Sequence, residues 1–119
     1  LRAFKILWNN YLNSFNTEIS DANIMLGINH DAFTDDINND LIIATILSMS
    51  GTIANVNSIN LAPKTGIEDE ENIMRLMLNI QNIIKYESNM SLVTDALNGS
   101  YAIEDATEKL AEEVWEKID

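Results

Sequence analysis

The sequence predicts a helix-rich α/β fold in which two short parallel strands alternate with about four helices. Four segments carry apolar residues at three- and four-residue spacing, and two short runs between them have the composition of strands. The resulting order is helix, strand, helix, strand, helix, turn, helix, which is typical of parallel strands joined by right-handed helical crossovers. Because two strands alone do not make a stable parallel sheet, the pattern indicates an arc of a larger (β/α) barrel.

The first helix is predicted near residues 1–15, where the apolar side chains form one stripe. Arg2, Lys5, Asn9 and Asn13 stand between them on the polar side. No capping residue precedes Leu1, so we expect Leu1 to be a fragment boundary. The stripe consists of Leu1, Phe4, Leu7, Trp8, Tyr11, Leu12 and Phe15.

Two segments have strand patterns. Ile24–Ile28 is a continuous apolar run that is too short for a helix and is typical of a strand buried on both faces. Val56–Leu61 alternates polar and apolar residues. We expect the two segments to pair as adjacent parallel strands.

The second helix is predicted near residues 39–52. Its central run Leu41–Met49 carries no charge, so we expect it to be largely buried. Asn38, Asn39 or Asp40 can cap its N-terminus.

The third and fourth helices are predicted near residues 69–87 and 106–118. Acidic residues 68–71 stand where the dipole of the third helix attracts negative charge. Before the last helix, Asn98 and Gly99 are expected to supply positive φ angles for a chain reversal. Asp105 or Thr107 can cap that helix, and Glu108 is placed as the capping-box partner of Asp105.

Composition excludes several classes of function. The 119 residues fit one domain, and the net charge of −12 argues against binding nucleic acid or an anionic membrane. The absence of cysteine excludes thiol nucleophiles, disulfides and thiolate metal sites. No apolar run approaches the roughly 20 residues that span a bilayer, and no secretory signal is recognisable, so we expect a cytoplasmic protein.

Several motifs together resemble those of the methylmalonyl-CoA mutase family. Asp95–Tyr101 resembles its D-P-x-G-G-S-Y turn, Ile103–Thr107 its V-E-x-L-T run, and Leu110–Trp115 its L-A-x-x-A-W helix. Residues 71–88 resemble the A-R-x-x-R-N-x-Q-x-I-L-x-E-E-S helix. "LRAFKILW" and residues 35–60 resemble earlier family segments, so the resemblance covers essentially the whole chain.

This resemblance implies the C-terminal part of the family's (β/α)8 TIM-barrel substrate domain. It implies a segment of a cobalamin-dependent enzyme that interconverts methylmalonyl-CoA and succinyl-CoA. Where the catalytic subunit has a Gln-Ser-Leu-His strand, this chain has Asn57-Ser58-Ile59-Asn60, and the Arg-containing end of the preceding strand is also missing. Pro63, two residues after the second strand, resembles the proline in the S-I-x-x-x-P-F-D stretch of the family's small, non-catalytic subunit. We therefore expect an assembly role, with an active mutase barrel and an unrelated small helical interaction domain as alternatives.

The resemblance also implies candidate site residues. Asn57, Ser58 and Asn60 lie on the strand that contacts CoA in the related active subunit, and His30 follows the first strand. No catalytic residue is predicted. The cobalamin motif D-x-H-x-x-G is absent, so we expect this chain to bind no cofactor, while the family's complete enzyme uses adenosylcobalamin. The expected partners are a catalytic mutase subunit or the remaining barrel half, and self-association is expected.

Two polar features have a simpler interpretation. His30 beside Asp31 could be a base or a ligand contact, but a solvated loop histidine is the more common case. Asp31, Asp35, Asp36 and Asp40 lack the D-x-D-x-D-G spacing of a calcium loop. A solvated loop that caps the next helix is the favoured interpretation.

Overall fold

The structure is a computed structural model that describes residues 1–18, 21–28, 32–34 and 36–118. The chain divides into two compact units, one formed by Leu1–Asn23 with Asp95–Asp119 and the other by Ile24–Thr94. The main elements are α1 (Arg2–Ser14), β1 (Met25–Gly27), α2 (Ile37–Ile53), β2 (Ser58–Asn60), α3 (Glu70–Asn82) and α4 (Tyr101–Ile118).

The predicted helix-rich α/β class is confirmed, with two parallel strands among the described residues. A π-helical turn, Ile83–Glu87, continues α3, and a 3₁₀ turn follows at Met90–Leu92. The helix predicted near 69–87 therefore changes its winding for its last five residues.

The strand pair forms as predicted, although each strand is shorter than its sequence pattern. Leu26 of β1 lies opposite Ile59 of β2, and the strands run parallel. The expectation that β1 is buried on both faces is wrong, because Met25 is 67% exposed. Leu26 and Ile59 lie towards α2, whereas Met25 and Ser58, which alternate with them along the strands, are exposed.

The core of the Ile24–Thr94 unit lies between α2 and α3. Its largest fully enclosed side chains are Met77 of α3 and Ser48 of α2, and Ser48 satisfies its hydroxyl by donating to the Ala44 carbonyl at 2.6 Å. The buried apolar cluster consists of Phe33, Ala44, Leu61, Ile73 and Met77. These residues come from α2, α3, the end of β2 and the loop before α2, so the cluster holds these four parts of the unit together.

The N-terminus of α2 is capped by Asp36, whose side chain accepts from the backbone N–H of Asn38 at 3.0 Å. The predicted caps Asn38, Asn39 and Asp40 are therefore wrong. All three lie inside the first turn, and the Asp40 carboxylate instead accepts from the backbone N–H and hydroxyl of Thr34. A carboxylate at the cap also complements the positive end of the helix dipole.

The prediction that α2 is largely buried is also wrong. The face turned towards the strands and α3 carries small residues, with Ala44, Ser48 and Gly51 buried. These small residues let α2 pack closely against the strands and α3. The larger apolar side chains on the opposite face of α2 point outwards. Ile42 and Ile46 are each 58% exposed, and Met49 is 38% exposed.

Gly51 sits where α2 crosses the strand pair. A Cβ at this position would lie 2.6 Å from Leu26 Cδ2 and 3.3 Å from Ile59 Cδ1. We expect Gly51→Val to lower the free energy of unfolding by about 1–3 kcal/mol through overpacking. Helix propensity alone predicts the opposite sign, since valine is a better helix former than glycine. Urea denaturation followed by circular dichroism measures this change, and a stabilised Gly51→Val variant would contradict the close approach.

In the other unit, α1 packs against α4 through Ala3, Thr107 and Ala111. Arg2 links the N-terminal and C-terminal parts of this unit. Its guanidinium pairs with the Asp95 carboxylate and, at 2.6 Å, with the Glu104 carboxylate. The predicted stripe of α1 is only partly covered. Rings along its outer side contact one another in succession, from Phe4 through Trp8 and Tyr11 to Phe15.

The last helix begins five residues earlier than predicted, and the predicted cap is wrong. Gly99 supplies a positive φ of 82° for the reversal, but Asn98 does not. Helical hydrogen bonding starts at the Ser100 carbonyl, because Tyr101–Glu104 contains no residue that breaks a helix. Thr107 is consequently interior to α4, where its hydroxyl donates to the Ile103 carbonyl at 2.6 Å.

Candidate functional site

A polar cleft of about 410 Å³ opens in the Ile24–Thr94 unit between the C-terminal end of α2, the start of β2 and the π-helical turn. Hydroxyl and amide side chains dominate its lining, with one cation. Such groups can hydrogen-bond the amides and hydroxyls of a ligand. The lining residues are Ser48, Thr52, Asn55, Val56, Asn57, Ser58, Ile59, Gln81, Ile84, Lys85 and Ser91.

The π-helical turn brings the cation to the cleft. Ile84 is buried and anchors the turn, and the Ser88 hydroxyl donates to the Ile84 carbonyl at 2.6 Å. Lys85 is exposed, and its Nζ lies 5.0 Å from the centroid of the Tyr86 ring, within the range of a cation–π contact. Widened turns of this kind occur often at functional positions.

The predicted site residues take different positions. Ser58 lies in the cleft wall and is exposed. Asn57 also lines the cleft, but its side-chain oxygen accepts from the Ile24 N–H at 2.8 Å. Asn57 therefore also closes the start of the strand pair. Asn60 is exposed on the same face as Ser58, outside the cleft lining, and His30 lies outside the described residues.

Gln81 and Lys85 were not predicted as site residues. They stand four positions apart, so they share one side of a helix. This spacing was the sequence feature that could have indicated that they act together. A cation near the C-terminal end of a helix is favoured by the helix dipole, so Lys85 by itself did not indicate a site. Their position beside β2 depends on how α3 packs.

The two described acidic residues at the start of α2 serve the fold. Asp36 caps the helix, and Asp40 holds Thr34. Among the described residues, no three His, Cys, Asp or Glu side chains are grouped to hold a metal ion. Asp31 and Asp35 lie outside the described residues.

The described cleft supplies no cobalt ligand, and the family's cobalamin motif does not occur around the one histidine. The sequence has one histidine, His30, and neither an Asp two positions before it nor a Gly three positions after it. The described cleft offers hydroxyls, amides and one ammonium group, none of which is a usual cobalt ligand.

Within the described part of the chain, no helix combines the length and the apolar character that a membrane span requires.

The fold and the cleft together define a helix-rich α/β segment with a parallel strand pair and a polar cleft beside one strand. The family model of methylmalonyl-CoA mutase matches residues 1–119. The chain therefore belongs to the methylmalonyl-CoA mutase family, which confirms the family resemblance of the sequence motifs. Comparison with curated proteins and comparison with solved structures give no significant match.

Proposed function

We propose that this chain is an assembly segment of a cobalamin-dependent methylmalonyl-CoA mutase, of the small, non-catalytic type. The observation that carries the proposal is the apolar row on the outside of α2, formed by Ile42, Ile46 and Met49. These positions recur at four- and three-residue spacing, which makes them one continuous stripe. Exposed apolar stripes on soluble proteins mark contact surfaces.

The strand pair supports the same proposal. Each strand pairs only with the other among the described residues, so each leaves an outer edge with backbone groups that can pair further. The exposed face of the pair carries Met25, which is 67% exposed. A barrel wall continued by another segment would supply both a neighbouring strand and cover for this face.

The residues at β2 support the non-catalytic type. Asn57-Ser58-Ile59-Asn60 stands where the resemblance implies Gln-Ser-Leu-His, so no imidazole is available on this strand. One amide of the replacement sequence is occupied by the fold, because Asn57 bonds the start of β1. The segment keeps the geometry of a strand pair without the side chain that chemistry on this strand would require.

We expect the purified chain to convert no methylmalonyl-CoA to succinyl-CoA when adenosylcobalamin is added. The reaction requires the cofactor as radical source and a closed cavity that excludes water, whereas the cleft of this chain is open. Liquid chromatography of the CoA esters measures the conversion. Turnover that rises in proportion to the concentration of the purified chain would contradict the assembly role.

The second candidate function is substrate contact within an active mutase barrel, and the polar cleft favours it. The pantetheine arm of an acyl-CoA carries amides and a hydroxyl that Ser58 and Gln81 can hydrogen-bond, and Lys85 can pair with a phosphate. This candidate predicts that the isolated chain binds a CoA ester.

Calorimetric titration with methylmalonyl-CoA separates the two candidates. Substrate contact predicts saturable binding that is weakened about tenfold by Lys85→Ala, the loss expected for one charge-assisted bond. Lys64→Ala is the matched control, because Lys64 is exposed and does not line the cleft. The assembly role predicts no saturable heat with either variant or with the unchanged chain.

A further inference from the structure

A second cleft, of about 370 Å³, lies between α1 and α4 in the unit formed by the chain's two ends. Its floor is apolar and contains Ile6, Leu7, Ala111 and Trp115. Ile6 remains 40% exposed, so this floor is open to a partner. We call this cleft the α1–α4 groove.

One rim of the α1–α4 groove is acidic. Glu108, Glu112 and Glu116 all line it, and each is exposed. They follow one another at four-residue spacing, so they form a row about 12 Å long on one edge of α4. Like charges at this spacing destabilise a helix, and a cationic partner along the row would remove that repulsion.

We propose that the α1–α4 groove binds an amphipathic helix of a partner protein that carries Lys or Arg at four-residue spacing beside an apolar stripe. The apolar stripe would cover Ile6, Leu7 and Trp115, and the basic residues would align with the glutamate row. A helix laid in an apolar groove is an established mode of recognition. The inference does not depend on the mutase-assembly role, because α1 and α4 belong to the unit that does not contain the α2 stripe.

A second copy of this chain fits the groove poorly. The chain has 7 basic residues against 19 acidic ones, and nowhere places Lys or Arg at positions i, i+4 and i+8. A nucleic acid is excluded by the sign of the charge. Charge complementarity therefore selects a basic helix from another polypeptide.

The test uses the full 119-residue chain and a synthetic peptide of about five helical turns. The peptide has a leucine stripe flanked by lysines at four-residue spacing, and a second peptide has glutamates in place of those lysines. Binding is followed by the fluorescence of Trp115 in a Trp8→Phe background, because Trp115 lines the groove. We expect saturable binding of the lysine peptide, an altered Trp115 emission and no binding of the glutamate peptide.

Two triple variants carry the same change in net charge. Glu108→Lys, Glu112→Lys and Glu116→Lys together reverse the row, and Glu18→Lys, Glu87→Lys and Glu113→Lys reverse exposed acids outside the groove. We expect the first triple to weaken lysine-peptide binding at least tenfold and to bind the glutamate peptide instead. The second triple should weaken lysine-peptide binding less than about threefold, because it changes only the net charge of the chain and no contact in the groove. Circular dichroism checks whether both variants keep their helices, as we expect.

The apolar floor is tested separately with Ile6→Ser, for which Leu110→Ser is the control, because Leu110 is 52% exposed on α4 and does not line the groove. We expect Ile6→Ser to weaken binding of the lysine peptide and Leu110→Ser to leave this binding unchanged. Equal weakening by the two charge triples would overturn the proposal by showing attraction to the whole acidic surface. Self-association that only the first triple abolishes would overturn it in favour of a second copy.

Discussion

Met77→Ala is expected to lower the free energy of unfolding of the Ile24–Thr94 unit by about 3 kcal/mol. Met77 is 1% exposed and belongs to the cluster that joins α2, α3, Phe33 and Leu61. Truncation removes its transfer free energy and leaves a cavity, because surrounding elements relax only partly. The measurement is urea denaturation followed by far-ultraviolet circular dichroism.

Leu78→Ala is the matched control for this change. Leu78 is the next residue of α3 but is 52% exposed, so its truncation leaves no cavity and should cost less than about 1 kcal/mol. Trp8 and Trp115 both belong to the other unit, so their fluorescence reports that unit separately. Similar losses for Met77→Ala and Leu78→Ala would show that Met77 is not the centre of this core.

The second large effect concerns the stripe on α2. We expect the combined replacement Ile42→Ser, Ile46→Ser and Met49→Ser to weaken self-association about a hundredfold. Each side chain is roughly half exposed, so covering it contributes about 1 kcal/mol, and three together correspond to about two powers of ten. Sedimentation equilibrium of the variant and the unchanged chain measures the difference.

The control replaces three other exposed apolar residues of the same unit, Tyr86, Leu92 and Val93, with serine. These side chains are 66%, 76% and 56% exposed, but they lie in the π-helical and 3₁₀ region rather than along α2. We expect this control to change self-association less than about threefold. If both triples weakened association equally, apolar exposure in general would drive it, and α2 would not be a specific contact surface.

The sequence predicted the strand pair because its signal is local. The apolar run at 24–28 and the alternation at 56–61 each identify a strand, and the intervening helix makes the pair parallel. The exposure of Met25 was not predictable in this way. A buried strand and a strand with one uncovered face have the same composition when the cover comes from another segment.

The boundaries of the helices were less predictable, because several residues can serve as a cap. Asp36, Asn38, Asn39 and Asp40 all have capping side chains, and the structure selects the first. At α4, Asp105 and Glu108 have the spacing of a capping box, yet the helix already begins at Tyr101. A capping motif inside a strong helical sequence does not start a helix.

The residues that line the polar cleft were foreseeable from the sequence only in part. The family resemblance pointed to Ser58 and Asn57, and both line the cleft. Gln81 and Lys85 reach the same cleft from a helix more than twenty residues further along the chain, and that proximity follows from tertiary packing. The α1–α4 groove likewise joins residues from opposite ends of the sequence.

Sedimentation velocity of the chain alone, over a range of micromolar concentrations at physiological salt, tests the assembly role most directly. The exposed α2 stripe and the open strand edges favour association, and the −12 net charge opposes it. At physiological salt the repulsion between exposed charges more than about 8 Å apart is largely screened, so we expect apolar contact to prevail. We expect a sedimentation coefficient that rises with concentration. A single monomeric species across the range, with one cooperative unfolding transition, would contradict the assembly role.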